Sequence, residues 1–191
     1  MLAGAPMAPR CTSSDAGHYA GVAFAAACPC RTIAAPWPPD LFELGRLQFG
    51  AFFTSGSWVS GAVAYGFPEG RTHPQALAKT DAMLDFAFSR MTAQPGPRFM
   101  AGDWNFDLDT LAVTSQLRKA GWVEAQDLWF SLTGQHIQHT CKGATRKDFL
   151  WMSPELAIGF KALRVDHEVF ADHAVLIASF ASGSAHLERF A

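Results

Sequence analysis

Short apolar runs, separated by polar turns rich in proline and glycine, are the main pattern along this sequence. Apolar residues alternate through 45–53 (GRLQFGAFF), and a turn at 54–57 leads into a second apolar run at 58–65, which together predict a β-hairpin. The run GVAFAAA at 21–27 predicts a further buried strand. The prolines of 28–40 (CPCRTIAAPWPPD) disfavour helix and central strand, so this segment is predicted to be a loop.

Apolar residues at helical spacing predict two helices in the second part of the chain. One starts near Pro74 and ends at the QPGP motif of 94–97, and the other covers about 109–120 and is closed by Gly121. Short apolar strands are predicted at 98–102, 148–152, 163–170 and 174–180. Because strands and helices are interspersed and the hairpin requires antiparallel pairing, the pattern favours an α/β fold with a mixed sheet over a doubly wound parallel sheet.

Polar residues with catalytic chemistry stand where these apolar strands begin or end. They are Tyr65, Asp103 with Asn105, Asp148, and Asp172 with His173. Strand ends that open into loops are frequent positions of active sites, since the strand is rigid and the loop is free to vary. Each residue alone also has a structural explanation, because Asp and Asn favour turns and a tyrosine at a strand end commonly belongs to the core.

The motifs GDWN, KDFLWMSPEL and ADHAVL resemble, in order and spacing, those of the endonuclease/exonuclease/phosphatase family. VAYGFPEG is similar to the strand and loop before that family's long helix, and GVAFAAACP is similar to an earlier strand. The resemblance implies a four-layer α/β/β/α sandwich, here incomplete, with mixed and largely antiparallel sheets. It divides the chain into an irregular N-terminal segment (1–16), a partial domain (17–182) and a C-terminal tail (183–191).

The resemblance also implies roles for the first group of polar residues. Asp103 matches the aspartate that activates the attacking water and contributes to the metal site, while Asn105 and Tyr65 match residues that contact the substrate phosphate. A carboxylate can accept a proton from water, and an amide can bind phosphate without adding negative charge. The implied cofactor is Mg²⁺ or Mn²⁺. The tight Cys28-Pro29-Cys30 spacing disfavours zinc as an alternative.

Asp172 and His173 match the pair that closes the family's site, with Asp172 as a metal ligand and Asp148 as the carboxylate that orients His173. A protonated histidine held in this way can donate to a phosphate oxygen. A second pair, Asp166 with His167, lies within an alternating run and is predicted to face solvent. The later pair opens the last apolar strand, which is the family's arrangement, and we therefore select it.

Two residues of the family's site have no match in this sequence: a metal-binding glutamate and an asparagine that ends the first strand. The acids before Tyr65 are Asp15, Asp40 and Glu43, and none of them closes an apolar strand. We therefore expect impaired activity, and exposed apolar surface unless a missing N-terminal segment or a second chain covers it. A truncated gene product, a degenerate mobile-element copy, or a half that needs a partner would each have this pattern.

Three hypotheses follow from the motifs. The favoured one is a metal-dependent phosphodiester hydrolase-type domain, most like an endonuclease and of a retrotransposon-type open reading frame. The first alternative is the same fold without catalysis, as an inactive fragment or binding module. The second alternative is an unrelated α/β domain in which GDWN is only a turn, and convergence of the strand-end residues on one cleft would exclude it.

Composition limits the classes of function further. With 49% hydrophobic and 17% charged residues, the chain can bury a core and is not disordered by composition. No apolar run is long enough for a transmembrane helix, so we expect a soluble, intracellular protein without a membrane partner. The formal net charge of −2 disfavours nucleic-acid binding by charge alone. A nucleic acid phosphodiester is nevertheless the expected substrate, because of the family resemblance.

A short basic cluster precedes one of the strand-end carboxylates. Lys142, Arg146 and Lys147 lie just before Asp148 and are candidates for contact with a phosphate backbone. The same cluster is also typical of a solvated loop. The sequence therefore leaves open whether the substrate is DNA, RNA or a phospholipid headgroup.

Overall fold

The structure, a computed structural model, describes residues 22, 24, 26–34, 45–68, 74–141, 145–168 and 173–181. The strands are β1 (Cys30–Thr32), β2 (Leu47–Thr54), β3 (Ser57–Ala64), β4 (Arg98–Asp103), β5 (Val123–Glu124), β6 (Asp148–Met152), β7 (Phe160–Asp166) and β8 (Val175–Phe180). The helices are α1 (Pro74–Thr92), α2 (Ala112–Lys119), α3 (Ala125–Thr133) and α4 (Pro154–Ala157), with a 3₁₀ turn at Leu108–Thr110. None of these described helices is long and apolar enough to cross a membrane.

The first six strands form one mixed sheet in the order β1-β2-β3-β4-β6-β5, and β7 and β8 form a separate pair. Only β3 and β4 are parallel, and α1 makes the crossover that such a pair requires. Every other pairing is antiparallel. The expected α/β fold with mixed, largely antiparallel sheets is confirmed.

The two faces of the large sheet are covered by different layers. Trp151 of β6 belongs to a core cluster with α1 and α2, in which Met83, Leu84 and Leu117 are fully buried. The neighbours of Trp151 in the strand point to the opposite face, where they pack with α3, β7 and β8. The described residues thus form a helix layer, a six-stranded sheet and a two-stranded sheet, which is an incomplete α/β/β/α sandwich.

Strong local signals placed several elements well. The hairpin of β2 and β3, the end of α1 before the QPGP motif, and the strands β4 and β6 lie where the pattern predicts them. The second helix begins at Ala112 rather than near 109, because residues 108–110 form a 3₁₀ turn. The Asp81 carboxylate of α1 accepts a hydrogen bond from Val113 N–H (2.9 Å), so a tertiary contact caps this helix.

Two predictions near the start of the described chain are wrong. The predicted loop at 28–40 contains β1, which pairs with β2; an edge strand makes only one ladder and therefore tolerates nearby prolines. The predicted strand at 21–27 is not formed at the described positions Val22, Phe24 and Ala26. At the described positions, Phe24 packs its ring on Phe52 and Phe99, and Val22 N–H donates to the Gly45 carbonyl (2.9 Å) just before β2.

The strand predicted at 163–170 extends only to Asp166, and its start lies earlier, at Phe160. The pattern also missed α3. Glu124 caps this helix by accepting a hydrogen bond from Gln126 N–H (2.9 Å), and Gly134 closes it in the left-handed conformation. The segments 1–16 and 183–191 lie outside the described residues.

We predict that Gly102→Ala destabilises the domain by about 3 kcal/mol. Gly102 has φ +137°, and an added Cβ would lie 1.9 Å from the backbone oxygen of Ala64, so the two strands would have to separate. The matched control is Gly56→Ala, where φ is +82° and no atom lies within 4 Å; it should cost only about 1 kcal/mol. Urea unfolding would measure both, and equal losses would contradict the clash.

Candidate functional site

The pairing of β4 with β6 places two carboxylates side by side. Asp103 is the last residue of β4, Asp148 is the first of β6, and the antiparallel register sets them opposite each other. The end of one strand and the start of the other therefore share one rim of the sheet. Two strand-end acids that are 45 positions apart in the sequence become neighbours in this way.

His173 lies between the two carboxylates. Its Nδ1 is 3.3 Å from Asp148 Oδ2, and its Nε2 is 3.8 Å from Asp103 Oδ2. The ligand atoms of the three side chains all lie within 4.8 Å of one another, which is the spacing of groups that can hold a metal ion. Among the described residues this is the only such group of His, Cys, Asp and Glu.

The site concentrates negative charge in a partly buried place. Burial raises the pKa of Asp103, and the neighbouring Asp148 charge raises this pKa further. A hydrogen bond from the Asn105 backbone and the charges of His173 and Lys147 oppose the rise without cancelling it. A cation bound between two adjacent carboxylates offsets the repulsion of their charges, and oxygen ligands with one imidazole suit a divalent metal such as Mg²⁺ or Mn²⁺.

Asn105 has a structural role that explains its residue type. Its φ is +60°, a left-handed conformation that asparagine tolerates better than most residues. Its backbone N–H donates to Asp103 Oδ1 (3.0 Å), and its side-chain Nδ2 donates to the carbonyl of Gly66 (2.9 Å). Asn105 therefore orients Asp103 and links the end of β4 to the end of β3.

Tyr65 lies one residue before this linking glycine but does not join the group of three. Its ring contacts the guanidinium of Arg46 at 5.0 Å, and Arg46 Nη1 donates to the Gly66 carbonyl (3.0 Å). No hydrogen bond joins the Tyr65 hydroxyl to Asp103 within the part of the chain that the structure describes. Arg46, which is buried, was not singled out by the sequence because its partners lie about twenty positions away.

Two further sequence assignments concern the Asp-His pairs. Asp172 lies outside the described residues, so its position relative to Asp103 stays a prediction. Asp166 ends β7 and lies 3.7 Å from Arg164, while His167 is exposed just beyond the strand. His167 faces solvent, as expected, whereas Asp166 is half-buried. His173 of the later pair is the histidine that reaches the carboxylates.

Thr140 is a positioning residue that sequence reasoning missed. Its hydroxyl is buried and accepts hydrogen bonds from the backbone N–H groups of Lys147 and Asp148, both at 3.3 Å. Its carbonyl accepts a hydrogen bond from Ala174 N–H (2.8 Å). Thr140 thus ties the start of β6 to the segment that carries His173, and no local sequence signal marks contacts of this span.

No protein-family model and no curated protein sequence matches this chain. Solved structures do match. The 3′-5′ exonuclease NExo from Neisseria meningitidis aligns over 80% of this chain and 71% of its own, with a TM-score of 0.58 and 20% identity. The endonuclease domain of the non-LTR retrotransposon TRAS1 aligns over 84% and 70%, with a TM-score of 0.57 and 14% identity.

The chain has the endonuclease/exonuclease/phosphatase fold. An AP endonuclease from Archaeoglobus fulgidus also matches, with a TM-score of 0.54 and 16% identity over 71% of this chain and 65% of that one. A different α/β fold, which the hypothesis of an unrelated domain requires, is therefore excluded. This endonuclease/exonuclease/phosphatase-fold chain spans about two thirds of the length of its solved neighbours.

We predict that Thr140→Val destabilises the fold by about 1–3 kcal/mol, because two buried N–H groups lose their acceptor while the side-chain shape is kept. Thr140→Ser retains the hydroxyl and should lose clearly less. Urea unfolding of the two variants beside the unmodified chain would measure this difference. Equal stability of the Val and Ser variants would show that the two long hydrogen bonds contribute nothing.

Proposed function

We propose that this chain is a metal-dependent phosphodiester hydrolase of the endonuclease type that acts on nucleic acid. The observation that carries the proposal is the convergence of Asp103, Asp148 and His173 at one rim of the sheet. Solved neighbours of the same fold include a phosphatase bound to a product DNA hairpin and AP endonucleases. The likeness to the TRAS1 domain favours an origin in a retrotransposon-type open reading frame.

The proposed cofactor is Mg²⁺ or Mn²⁺. Asp103 and Asp172 would be its protein ligands. Asp148 and His173 lie next to Asp103 and contribute to the charge around the ion. When bound, such an ion neutralises negative charge that develops on the phosphoryl and leaving oxygens. The partly buried pair of carboxylates fits this ion, because two adjacent negative charges favour a cation.

The chain's own residues divide the remaining tasks. Asp103 accepts the proton of the attacking water, and Asn105 keeps this carboxylate oriented through its backbone N–H. Asp148 orients His173, which in its protonated form donates to a phosphate oxygen. Asn105 and Tyr65 are the proposed contacts to the substrate phosphate.

We predict that Asp103→Ala and His173→Ala each lower Mg²⁺-dependent cleavage of plasmid or abasic DNA by about 10²-fold or more, because each removes a proton-transferring or donating group. The Asp166→Ala and His167→Ala variants are matched controls, since they alter the earlier Asp-His pair and should keep full activity. Gel assays of cleavage rate would measure all four. Cleavage that persists in the first two variants, or in chelator, would refute the proposal.

A second candidate function is an inactive fragment or binding module of the same fold. The observation that favours it is the small ligand set: the described residues bring together two carboxylates and one histidine, without a glutamate. A lost ligand worth about 3–4 kcal/mol would slow the reaction by roughly 10²–10³. Under this alternative the chain retains a nucleic-acid surface but does not turn over substrate.

An apolar groove on the large sheet is the observation that favours a missing segment or a second chain. The groove has a volume of about 780 Å³ and lies between the sheet and the end of β8, and Phe52, Phe99, Leu150, Ile158 and Phe180 contribute to its lining. Ile158 and Phe180 at this groove are 57% and 36% exposed, so the groove presents apolar surface to solvent. We propose that a further N-terminal segment or a second chain covers this groove and supplies the absent carboxylate.

The alternative predicts that millimolar Mg²⁺ leaves the melting temperature of the isolated chain unchanged. A complete site would instead be stabilised by about 1.4 kcal/mol at ten times its Kd, or roughly 3–5 °C. Differential scanning calorimetry with Mg²⁺, with Asp103→Asn as the control for site binding, measures this shift. A rise seen in the unmodified chain and absent in Asp103→Asn would contradict both the inactive fragment and the need for a further segment.

A further inference from the structure

A polar cavity, separate from the apolar groove described above, lies beside the proposed catalytic group. It has a volume of about 610 Å³ and is lined by the segment after β4, by α2 and α3, and by the segment before β6. The two strand-end segments stay paired beyond the carboxylates, since Trp104 N–H donates to the Lys147 carbonyl (2.8 Å). The cavity therefore continues the rim that carries Asp103 and Asp148.

Arg146 lines this cavity and is held in place from two sides. Its Nη1 donates to Glu124 Oε2 (3.0 Å), and its guanidinium lies 4.8 Å above the ring of Phe149. Glu124 is fully buried, and the Arg146 side chain is 17% exposed. A guanidinium fixed in this way loses little conformational entropy when it binds a ligand.

Within the described part of the chain, the hydrogen bonds of Arg146 use only one of its N–H groups. Arginine carries five N–H donors in a planar fork that matches two oxygens of a phosphate. Among the described residues, Glu124 is the only hydrogen-bond acceptor that Arg146 contacts. The remaining N–H donors therefore lie on a fixed, partly buried cation at the edge of an open cavity. Such a cation is suited to binding an anion.

The neighbouring charges distinguish Arg146 from the rest of the basic cluster. Lys147 is buried and its Nζ is bound to Asp107 (2.5 Å), so its charge is already compensated, and Lys142 lies outside the described residues. Three carboxylates also line the cavity, those of Asp107, Asp109 and Asp127, and all three are exposed. Arg118 of α2 is a second cation in the lining. Exposed charges are screened by water and salt more than a partly buried guanidinium is.

We propose that Arg146 binds a non-scissile phosphate of a nucleic acid strand whose scissile phosphate lies at Asp103 and His173. This inference rests on the proposed function and deepens it. A small phosphodiester or a phospholipid headgroup with a single phosphate cannot occupy both places at once. A strand of nucleic acid carries phosphates at regular spacing and can, so the two sites together select a polynucleotide substrate.

The decisive experiment measures DNA binding in EDTA, where a metal-dependent enzyme does not cleave. The main variant is Arg146→Gln combined with Glu124→Gln, because Arg146→Gln alone would leave a buried carboxylate without its partner. Glu124→Gln alone keeps the guanidinium and controls for the second change. Arg164→Gln removes an equal charge at an exposed position on β7, away from the cavity. Thermal melting verifies that each variant is folded.

The double variant should bind a labelled duplex about tenfold more weakly than the unmodified chain. The slope of log K against log[NaCl] should fall by about 0.9, which is the loss of one phosphate contact. Glu124→Gln and Arg164→Gln should keep the slope of the unmodified chain. An unchanged slope in the double variant, or no binding of DNA by the unmodified chain, would overturn the inference.

Turnover of bis(p-nitrophenyl) phosphate, a phosphodiester with one phosphate, separates this inference from the proposed function. The double variant should hydrolyse it at the unmodified rate, while Asp103→Ala should not hydrolyse it. If the double variant lost activity equally on this substrate and on DNA, the proposed phosphate site would be wrong. If Asp103→Ala retained full activity while the salt slope still fell in the double variant, the catalytic proposal would fail and the phosphate site would stand.

Discussion

The antiparallel pairing of β4 with β6 is the contact on which the rest of the site depends. It sets Asp103 beside Asp148, although like charges repel, because the backbone ladder fixes the two strand ends independently of their side chains. His173 lies against both carboxylates and offsets part of this repulsion. The pairing continues past the carboxylates through Trp104 and Lys147, which brings the cavity of Arg146 next to the same rim.

The two faces of the large sheet differ in how completely they are covered. The helix side of the large sheet is densely packed around Trp104 and Trp151, while the opposite face leaves an apolar groove. His173 precedes β8, and among the described residues this strand pairs only with β7. A two-stranded hairpin is marginal by itself. The hydrogen bonds of Thr140 to Lys147, Asp148 and Ala174 therefore bear directly on the position of the histidine.

Structural and functional explanations of the same residue are not exclusive in this fold. Asn105 is a turn residue in a left-handed conformation, and the same turn aims its N–H at the Asp103 carboxylate. Arg146 is one partner of a buried ion pair, and the pair also holds its free donors at the edge of a cavity. In both cases an interaction that stabilises the fold also orients a group of a proposed site, the Asp103 carboxylate in one and the Arg146 guanidinium in the other.

The sequence by itself determined the elements with strong local signals, such as the hairpin turn at 54–57, the helix end at 94–97, and the strand ends that carry Asp103 and Asp148. These follow from periodicity and turn chemistry among neighbouring residues. It missed α3, β1, Thr140 and the partner of Arg146. Only the tertiary structure decided how close His173 lies to each carboxylate, that Lys147 is neutralised by Asp107, and that Glu124 holds Arg146. The hydrogen bonds among these contacts join residues 22 to 40 positions apart, and they exist only once the strands have paired in one register.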